Sequence, residues 1–403
     1  MTRFPRTLQR SLSSLCLVFF MLLGGALSWT ACTPANQMNP KETASSSEQA
    51  STGQSSSEQA PKGLSFPESV DPSPELGGEK SSEMITPTYA KLFCAAKYPQ
   101  GWTLVTLYDG QQFLVTPKAD EEASKALEEV SSKDKNIQLV NGYPTRIYVA
   151  GSSCFHYLRA LGALSNIRFA SRKADEFRPG LVQDALQGDH ITYVGKFNTP
   201  DYEALVKDKC DFVEETAQVK YHPEVMEKWA SLKIPALMDL STYESHPLGR
   251  AEWIKLYGFL LGKEKEANEY FAKQEALSLE NAALAPTDQK VIYFHVNSKK
   301  QVRLRYPGNF VDQLITMAGG TNLYTEENKD LPEKLQKMLS NHDGMANFMS
   351  DDSKYFSLDQ ESFFQTAKDV NCLLYNSTSS VELKDLKDLE EGVPLFSHLM
   401  AYQ

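Results

Sequence analysis

The sequence predicts an α/β protein of two Rossmann-like lobes with parallel sheets, joined by one long α-helix, with the second lobe incomplete at its C-terminus. Three observations carry this expectation. Strand and helix signals alternate from residue 145 onward, the alternation restarts after Pro286, and one short module occurs twice. In "NTPDYEALVKDKCDFVEETAQ" (198–218), Glu203 heads an amphipathic run that leads into apolar "CDFV". In "DQESFFQTAKDVNCLLYNSTSS" (359–380), Glu361 heads a similar run that leads into "CLLY". A chain of 403 residues is also too long for one ordinary core, so two domains plus tails is the starting expectation.

The elements follow in order. Residues 1–31 place Arg3, Arg6 and Arg10 before the apolar run "LCLVFFMLLGGAL" and small residues around "SWTAC", the layout of a signal peptide whose apolar run is too short to span a bilayer. Cys32 stands where a bacterial lipoprotein signal places its lipidated cysteine, although Trp29 occupies a position usually held by an aliphatic residue. We expect lipidation there, with two or three acyl chains holding the protein on the outer face of a membrane. A secreted chain with an incidental Cys32 is the other reading. Residues 32–84 repeat "SSSEQA" in a Ser, Gln, Glu and Pro setting almost free of large apolar residues, and are expected to form a disordered tether.

Residues 85–248 are expected to form the N-terminal lobe. "WTLVTLYDG" and "QQFLVTP" predict a hairpin closed at Asp109 and Gly110, and 118–136 a surface helix. "RIYVAG", "ITYVGKF", "CDFVEE" and "IPALMDL" then read as strands, with "SCFHYLRALGAL", "PDYEALVKDK" and "HPEVMEKWASLK" as the helices between and after them. Strands alternating with helices imply right-handed crossovers and a parallel sheet. Residues 249–285 carry Trp253, Leu256, Phe259, Leu260, Ala267, Tyr270 and Phe271 at helical spacing, enough for an interlobe helix of about 50 Å. Residues 286–403 restart with the strand "KVIYFHV" and the helix "NFVDQLITMAGG", and form the C-terminal lobe.

Charge and cysteines narrow the function. A net charge of -11 argues against nucleic acid as a partner. Cys94, Cys154, Cys210 and Cys372 form no CxxC pair and lie in or beside apolar runs, so buried free thiols are expected ahead of zinc ligands or disulfides. The seven histidines are scattered, so a site for bare zinc or manganese is not expected.

The stretches "TRIYVAGSSCFHYLRALGALSNI", "PDYEALVKDKCDFVEE", "IPALMDLSTYESHPLGRAEWIKLYGFLLGKEKEANEYF", "GNFVDQLITMAGGTNLY" and "ESFFQTAKDVNCLLYN" resemble the iron-chelate, haem and cobalamin class of substrate-binding proteins that serve ABC importers. They span 145–376 in the family's order. The resemblance implies two lobes with a shallow cleft, a rigid interlobe helix, no catalytic residue, and delivery of a metal chelate to a permease dimer with its ATPase subunits by a monomer. It also implies that Glu203 and Glu361 dock against permease arginines. The residues alone allow a plainer role, since a carboxylate near a helix N-terminus stabilises the helix. The family's usual further strand, loops and closing helix do not follow "LFSHLMAYQ", so the second lobe is either cut short or finished differently.

Loops after the strands should line the cleft. They nominate Ser152, Ser153 and His156, then Thr216, then Tyr243, Glu244 and His246 in the first lobe, and Arg303, Arg305, Tyr306 and Asn376 in the second. Arginines and tyrosines suit an anionic or aromatic chelate, such as a ferric siderophore or haem. For haem, His156, His246 or Tyr306 could supply an axial ligand, and a histidine is also a common helix cap. Arg303 and Arg305 could equally be solvated charges on an exposed strand. Two other readings are a surface scavenger that binds haem without a permease and a chelatase-like enzyme on the same plan. Against the enzyme, the chain has no phosphate loop, GxSxG elbow or HExxH motif. Only small closure on binding is expected, because one helix resists bending better than several strands.

Overall fold

A computed structural model describes residues 70–376, apart from 130–136, 178–179, 189, 284–286, 288, 298, 326–327, 329, 341–354 and 369. The signal peptide, Cys32, residues 33–69 of the expected tether and everything after Asn376 lie outside the described residues; the rest of that expected tether, 70–84, corrects the reading, because Leu76 is buried in one core with Trp102 and Glu83 opens the first strand. The first five strands are β1 (Glu83–Ile85), β2 (Phe93–Lys97), β3 (Thr103–Leu107), β4 (Gln112–Thr116) and β5 (Ile137–Asn141). They form a sheet of their own in sequence order, antiparallel except where β5 runs parallel to β4. The expected hairpin is β3–β4, turned at Gly110, whose φ of 92° is one a side-chain-bearing residue rarely adopts. The expected surface helix is Glu121–Glu129.

Every residue of β3 and β4 is buried, because this sheet is covered on both faces. One face packs Leu104, Leu114 and Trp102 against Ala123 and Ala126 of that helix. The other puts Phe93, Val105 and Phe113 into one core with Val149, Phe212 and Leu237 of the sheet that follows and Phe155 of the helix after its first strand.

That second sheet holds β6 (Ile147–Val149), β7 (Ile167–Ala170), β8 (Thr192–Tyr193), β9 (Phe212–Thr216) and β10 (Ala236–Asp239). All are parallel, in the order β10-β9-β6-β7-β8. Strand β7 went unpredicted because it is only four residues long and carries Arg168 in the middle; Arg168 reaches the sheet edge and bonds Asp208 and the His190 carbonyl. Chain order reverses between β6 and β9, and such a switch point is where open α/β sheets hold ligands.

Two glutamines of the first sheet seal the outer edge of β10. Gln111 accepts from Met238 N at 2.8 Å and donates to Met238 O at 3.1 Å. Gln138 accepts from Ala236 N at 2.8 Å and donates to Ala236 O at 3.3 Å. Each amide side chain stands in for one residue of a missing strand.

The interlobe connection corrects the expectation of one unbroken helix over 249–285. It consists of three helices, Pro247–Glu252, Ile254–Leu261 and Glu264–Ala282. Gly262 takes the left-handed conformation at φ 64° and ψ 30° and ends the second helix, a common helix stop. The joining helix is the last, 19 residues or about 28 Å long. Among the described residues no helix is long and apolar enough to cross a membrane.

The second lobe is built on β11 (Lys290–Val296), β12 (Val302–Arg305), β13 (Thr321–Asn322), β14 (Tyr355–Leu358) and β15 (Cys372–Tyr375). Strands β13 and β15 run parallel to β11, as expected, whereas β12 and β14 add an antiparallel arm. The cause is local: Asn297 accepts from the Lys299 and Gln301 N–H groups, and Lys300 takes φ 58°, turning "NSKKQVRLR" back as a hairpin instead of a cleft loop.

Candidate functional site

Alternation along the antiparallel arm sorts its side chains by face. Ile292, Phe294, Val302, Leu304, Phe356 and Leu358 enter the second lobe's core. The residues between them, Tyr293 and His295 on β11, Arg303 and Arg305 on β12, and Tyr355 and Ser357 on β14, share the other face and are half-buried. Arg303 donates to Ser357 Oγ at 2.8 Å. The guanidinium carbons of Arg303 and Arg305 lie 5.4 and 4.6 Å from the Tyr355 ring centroid, and His295 meets the same ring edge-on. Burial first, then Arg303 and Arg305, lower the His295 pKa to about 4, so its imidazole is neutral at pH 7. Burial pushes the Tyr293 phenol up to about 12.

The first lobe meets this face through Arg250. Its Nε donates to Glu244 O at 3.0 Å, its Nη2 donates to Thr242 O, and its guanidinium carbon lies 3.5 Å from the centroid of the Phe310 ring in the second lobe. The Tyr157 hydroxyl donates to the Arg250 carbonyl at 2.7 Å, and its ring stacks on Tyr257. Nearby, Lys220 donates to the Tyr243 hydroxyl at 2.6 Å and lies over the Tyr221 and Tyr243 rings. Among the described residues none of Arg250, Arg303 and Arg305 is ion-paired with a carboxylate. The result is a cluster of cations and phenols at the lobe junction that can receive an anionic, aromatic molecule.

A buried carboxyl group sets the loop after β6. Glu214 on β9 accepts from Ala150 N at 3.1 Å and Gly151 N at 2.8 Å, and a Cβ at position 151 would lie 2.4 Å from its Oε1. The glycine therefore lets the carboxyl hold the start of the helix Ser152–Ala160, which carries Ser153 and His156. Burial, then Asp239, push the Glu214 pKa up to about 8, so it is a neutral acid at pH 7. A raised acid pKa means the native state holds a proton that the unfolded state has lost, so stability from this group falls as pH rises from about 4.5 to about 8. Glu214→Gln is expected to flatten that decline, so that the variant gains on wild type with rising pH in urea titrations. A constant difference between pH 5 and pH 8 would refute the assignment.

The structure brings Arg303, Arg305 and Tyr243 to the junction cluster and sends other nominated residues elsewhere. His246 caps the helix Pro247–Glu252, its Nδ1 accepting from Leu248 N at 3.1 Å, and lies 5.0 Å from the Tyr89 ring; burial lowers its pKa. Glu244 accepts from Lys91 N, Leu92 N and the Trp253 indole, a structural task. Tyr306 falls on the opposite face, 5.1 Å from the Phe356 ring. Asn376 continues the β15–β11 ladder, its N–H donating to Phe294 O at 2.8 Å. Ser153 in the first turn of its helix and Thr216 at the end of β9 are half-buried, as is His156, whose pKa burial and Arg159 lower to about 4. Sequence reading missed Arg250, Tyr157, Lys220, Tyr293, His295 and Tyr355. For Tyr293 and His295 a signal existed, because period-two alternation in "VIYFHV" becomes meaningful once its hairpin with "VRLR" is drawn.

Glu203 and Glu361 are both exposed, and each is the second residue of its helix. Before each stands an aspartate cap: Asp201 accepts from Ala204 N at 3.0 Å and Asp359 from Ser362 N at 2.8 Å. Each helix leads into a strand that pairs parallel with the first strand of its own sheet, β9 with β6 and β15 with β11. The duplicated sequence is thus a duplicated geometry. Cys94, Cys154 and Cys210 are buried free thiols and Cys372 a half-buried one, and among the described residues no three His, Cys, Asp or Glu side chains gather as a metal site would require.

No family model matches the chain. It is 26% identical over 174 residues to an uncharacterized lipoprotein of Methanocaldococcus jannaschii, covering 41% of this chain and 40% of that protein, so the match spans well under half of the relative's length. Among solved structures it is similar to the periplasmic haem-binding protein HutB of Vibrio cholerae (TM-score 0.47, 16% identity, 64% of this chain and 86% of that one). It is also similar to the siderophore-binding protein FeuA of Bacillus subtilis, solved with ferri-bacillibactin (TM-score 0.44, 16% identity, 64% and 80%). A periplasmic haem-binding protein of Pseudomonas aeruginosa is a further such structure (TM-score 0.45, 17% identity, 64% and 81%).

Proposed function

We propose that the chain is the extracytoplasmic substrate-binding protein of an ABC importer, capturing an iron chelate, either a ferric siderophore or haem, or a cobalamin, between its lobes. The observation that carries this reading is the trio Arg250, Arg303 and Arg305, half-buried at the lobe junction with no carboxylate partner among the described residues and surrounded by tyrosines. Cations held away from bulk water without counter-charge favour an anionic guest, and guanidinium forks match carboxylate or catecholate oxygens. Lys220 and Tyr243 would extend the same chemistry on the first lobe.

In this reading Cys32 carries the lipid anchor, the Ser/Gln-rich segment after it is the tether, and Glu203 and Glu361 meet the permease. The protein acts by binding, as a monomer, and needs no cofactor of its own. Native mass spectrometry of residues 33–403, mixed with ferric siderophores, haem and corrinoids, tests the capture step. One retained anionic chelate is the expected result. A folded sample that retains none of them defeats the reading, and one that retains only an uncharged chelate or a corrinoid removes the arginines from the binding role.

A further inference from the structure

Two carboxyl groups share one buried face beneath the first lobe's loops. The register of β9 and β10 sets Glu214 beside Leu237 and Thr216 beside Asp239, so Glu214 and Asp239 lie on the same side of neighbouring strands. Both are buried. Asp239 is satisfied, accepting from Ser241 N at 2.7 Å and from the Tyr257 hydroxyl. Glu214 is satisfied at one oxygen: Oε2 accepts from the Ala150 and Gly151 N–H groups, whereas Oε1 has no hydrogen-bond partner among the described residues. The small cavity it borders has Ile147, Leu158, Phe212 and Leu260 in its walls, so a charge on this carboxyl would meet apolar surfaces.

The groups that face Glu214 add little to hold a charge. Asp239 on β10 and Glu215 on β9 are acids like itself, and Tyr148 on β6, Cys154 on the helix Ser152–Ala160 and Tyr257 on the helix Ile254–Leu261 are neutral. Arg172, beyond β7, attracts it but is shared with Glu176 at 3.2 Å. Burial and Asp239 outweigh this attraction and the two N–H bonds, so the carboxyl keeps its proton up to about pH 8.

We propose that Glu214 is a positioning residue of the cleft whose proton acts as a latch: while protonated and enclosed it fixes the turn 150–152, and when that turn swings open toward the cleft the carboxyl reaches water and releases the proton. The turn is the part that yields, because the carboxyl holds its backbone directly and position 151 has no side chain to anchor it, whereas both acids sit inside a sheet. Opening releases a proton, so each pH unit between about 4.5 and about 8 favours it by up to about tenfold, and above that range the effect levels off. Ser152 and Ser153 move with the turn, so capture should weaken over the same range. That consequence rests on the capture reading above, and the latch does not.

Hydrogen exchange of the purified protein, with no cargo present, reads the latch directly. After correction for intrinsic exchange, protection at 150–157 should fall more than about tenfold between pH 5 and pH 8. The fall should be insensitive to low urea, because a local opening exposes little surface. The helix Glu121–Glu129, which covers the other sheet, should keep constant protection. Glu214→Gln keeps an oxygen for both N–H groups and has no proton to release, so its protection should not change with pH. Asp239→Asn removes the like neighbour, so the decline should persist and level off at a lower pH.

Constant protection in the wild-type protein, or a loss that grows with urea, would overturn the latch. So would a decline that survives Glu214→Gln and vanishes in Asp239→Asn, since the proton would then belong to Asp239. The ratio of wild-type to Glu214→Gln affinity for haem or ferric 2,3-dihydroxybenzoate should fall across the same pH range; a ratio that stays constant while the turn opens would overturn the positioning role. A folded protein that binds neither at any pH removes the capture reading and the positioning role with it, while the exchange result still decides the latch.

Discussion

Reversing both module carboxylates, Glu203→Arg with Glu361→Arg, should abolish cargo uptake by cells while leaving cargo affinity unchanged. Both side chains are exposed on the second helical residue, behind an aspartate that already caps the helix. A role in helix stability alone is worth about 0.3–1 kcal/mol each, since the dipole interaction is modest at an exposed site and the Asp caps remain. Docking predicts something much larger. Placing cations against permease cations costs several kcal/mol per contact, so the pair should lower uptake by at least about a hundredfold, with each single variant in between. Uptake of a radiolabelled ferric chelate, alongside calorimetric binding, separates the two. Normal uptake by the double variant, with the protein still on the cell surface, would remove the docking assignment, and Glu121→Arg on an exposed helix elsewhere controls for charge alone.

The parts of the fold that were legible in the sequence are those set by local period and punctuation. The β3–β4 hairpin follows from alternation and Asp109-Gly110, and β6, β9 and β10 follow from short apolar runs between helices. The glutamate-headed module was legible twice over, because a short helix leading into an apolar strand is written in adjacent residues; its aspartate caps were not read. What stayed hidden depends on partners far along the chain. Whether "VRLRY" is loop, exposed strand or sheet face depends on β14, some fifty residues later, which pairs Arg303 with Ser357. Arg250 read as one more polar residue of a helix, and only the approach of Phe310 gives it a role. The break at Gly262 was locally marked by glycine, but the apolar period running through it on both sides masked the stop.

The second large effect concerns stability. Glu252 is buried, and its carboxylate accepts from Thr88, Tyr89 and Ala90 N–H groups at 3.0, 2.7 and 2.9 Å and from the Lys255 ammonium at 2.7 Å. Glu244 takes the next two N–H groups, of Lys91 and Leu92. Five successive amides thus have carboxylates as their acceptors, and these fasten the lead-in to β2 onto the lobe junction. Glu252→Ala leaves three amides and an ammonium without their acceptor in a buried place, and should lower stability by about 3–5 kcal/mol. Glu252→Gln, which keeps one carbonyl oxygen, should lose less.

The pH dependence of Glu252 has the opposite sense to that of Glu214. Burial opposes the Glu252 charge, but Lys255 and the Ala90, Tyr89 and Thr88 amides outweigh it and hold the pKa below the ordinary value. A depressed acid pKa stabilises above the unfolded value and is lost as pH falls through the folded one. The Glu252→Ala deficit should therefore be full at pH 7 and shrink in acid. Urea unfolding at pH 7 and pH 3 measures it, and a deficit under about 1 kcal/mol at pH 7 would show that water replaces the carboxylate without loss.

The glutamine seal on β10 also bears on the order in which the protein can be made. Gln138 waits for a partner 98 residues later and Gln111 for one 127 residues later, so the first sheet leaves the ribosome long before the edge it covers exists. During that interval the face of the early strands that carries Phe93, Val105 and Phe113 has no surface to close against, although Ala123 and Ala126 already cover the other. A nascent chain in that condition stays threadable, and it acquires its final shape only after most of the first lobe has been synthesised.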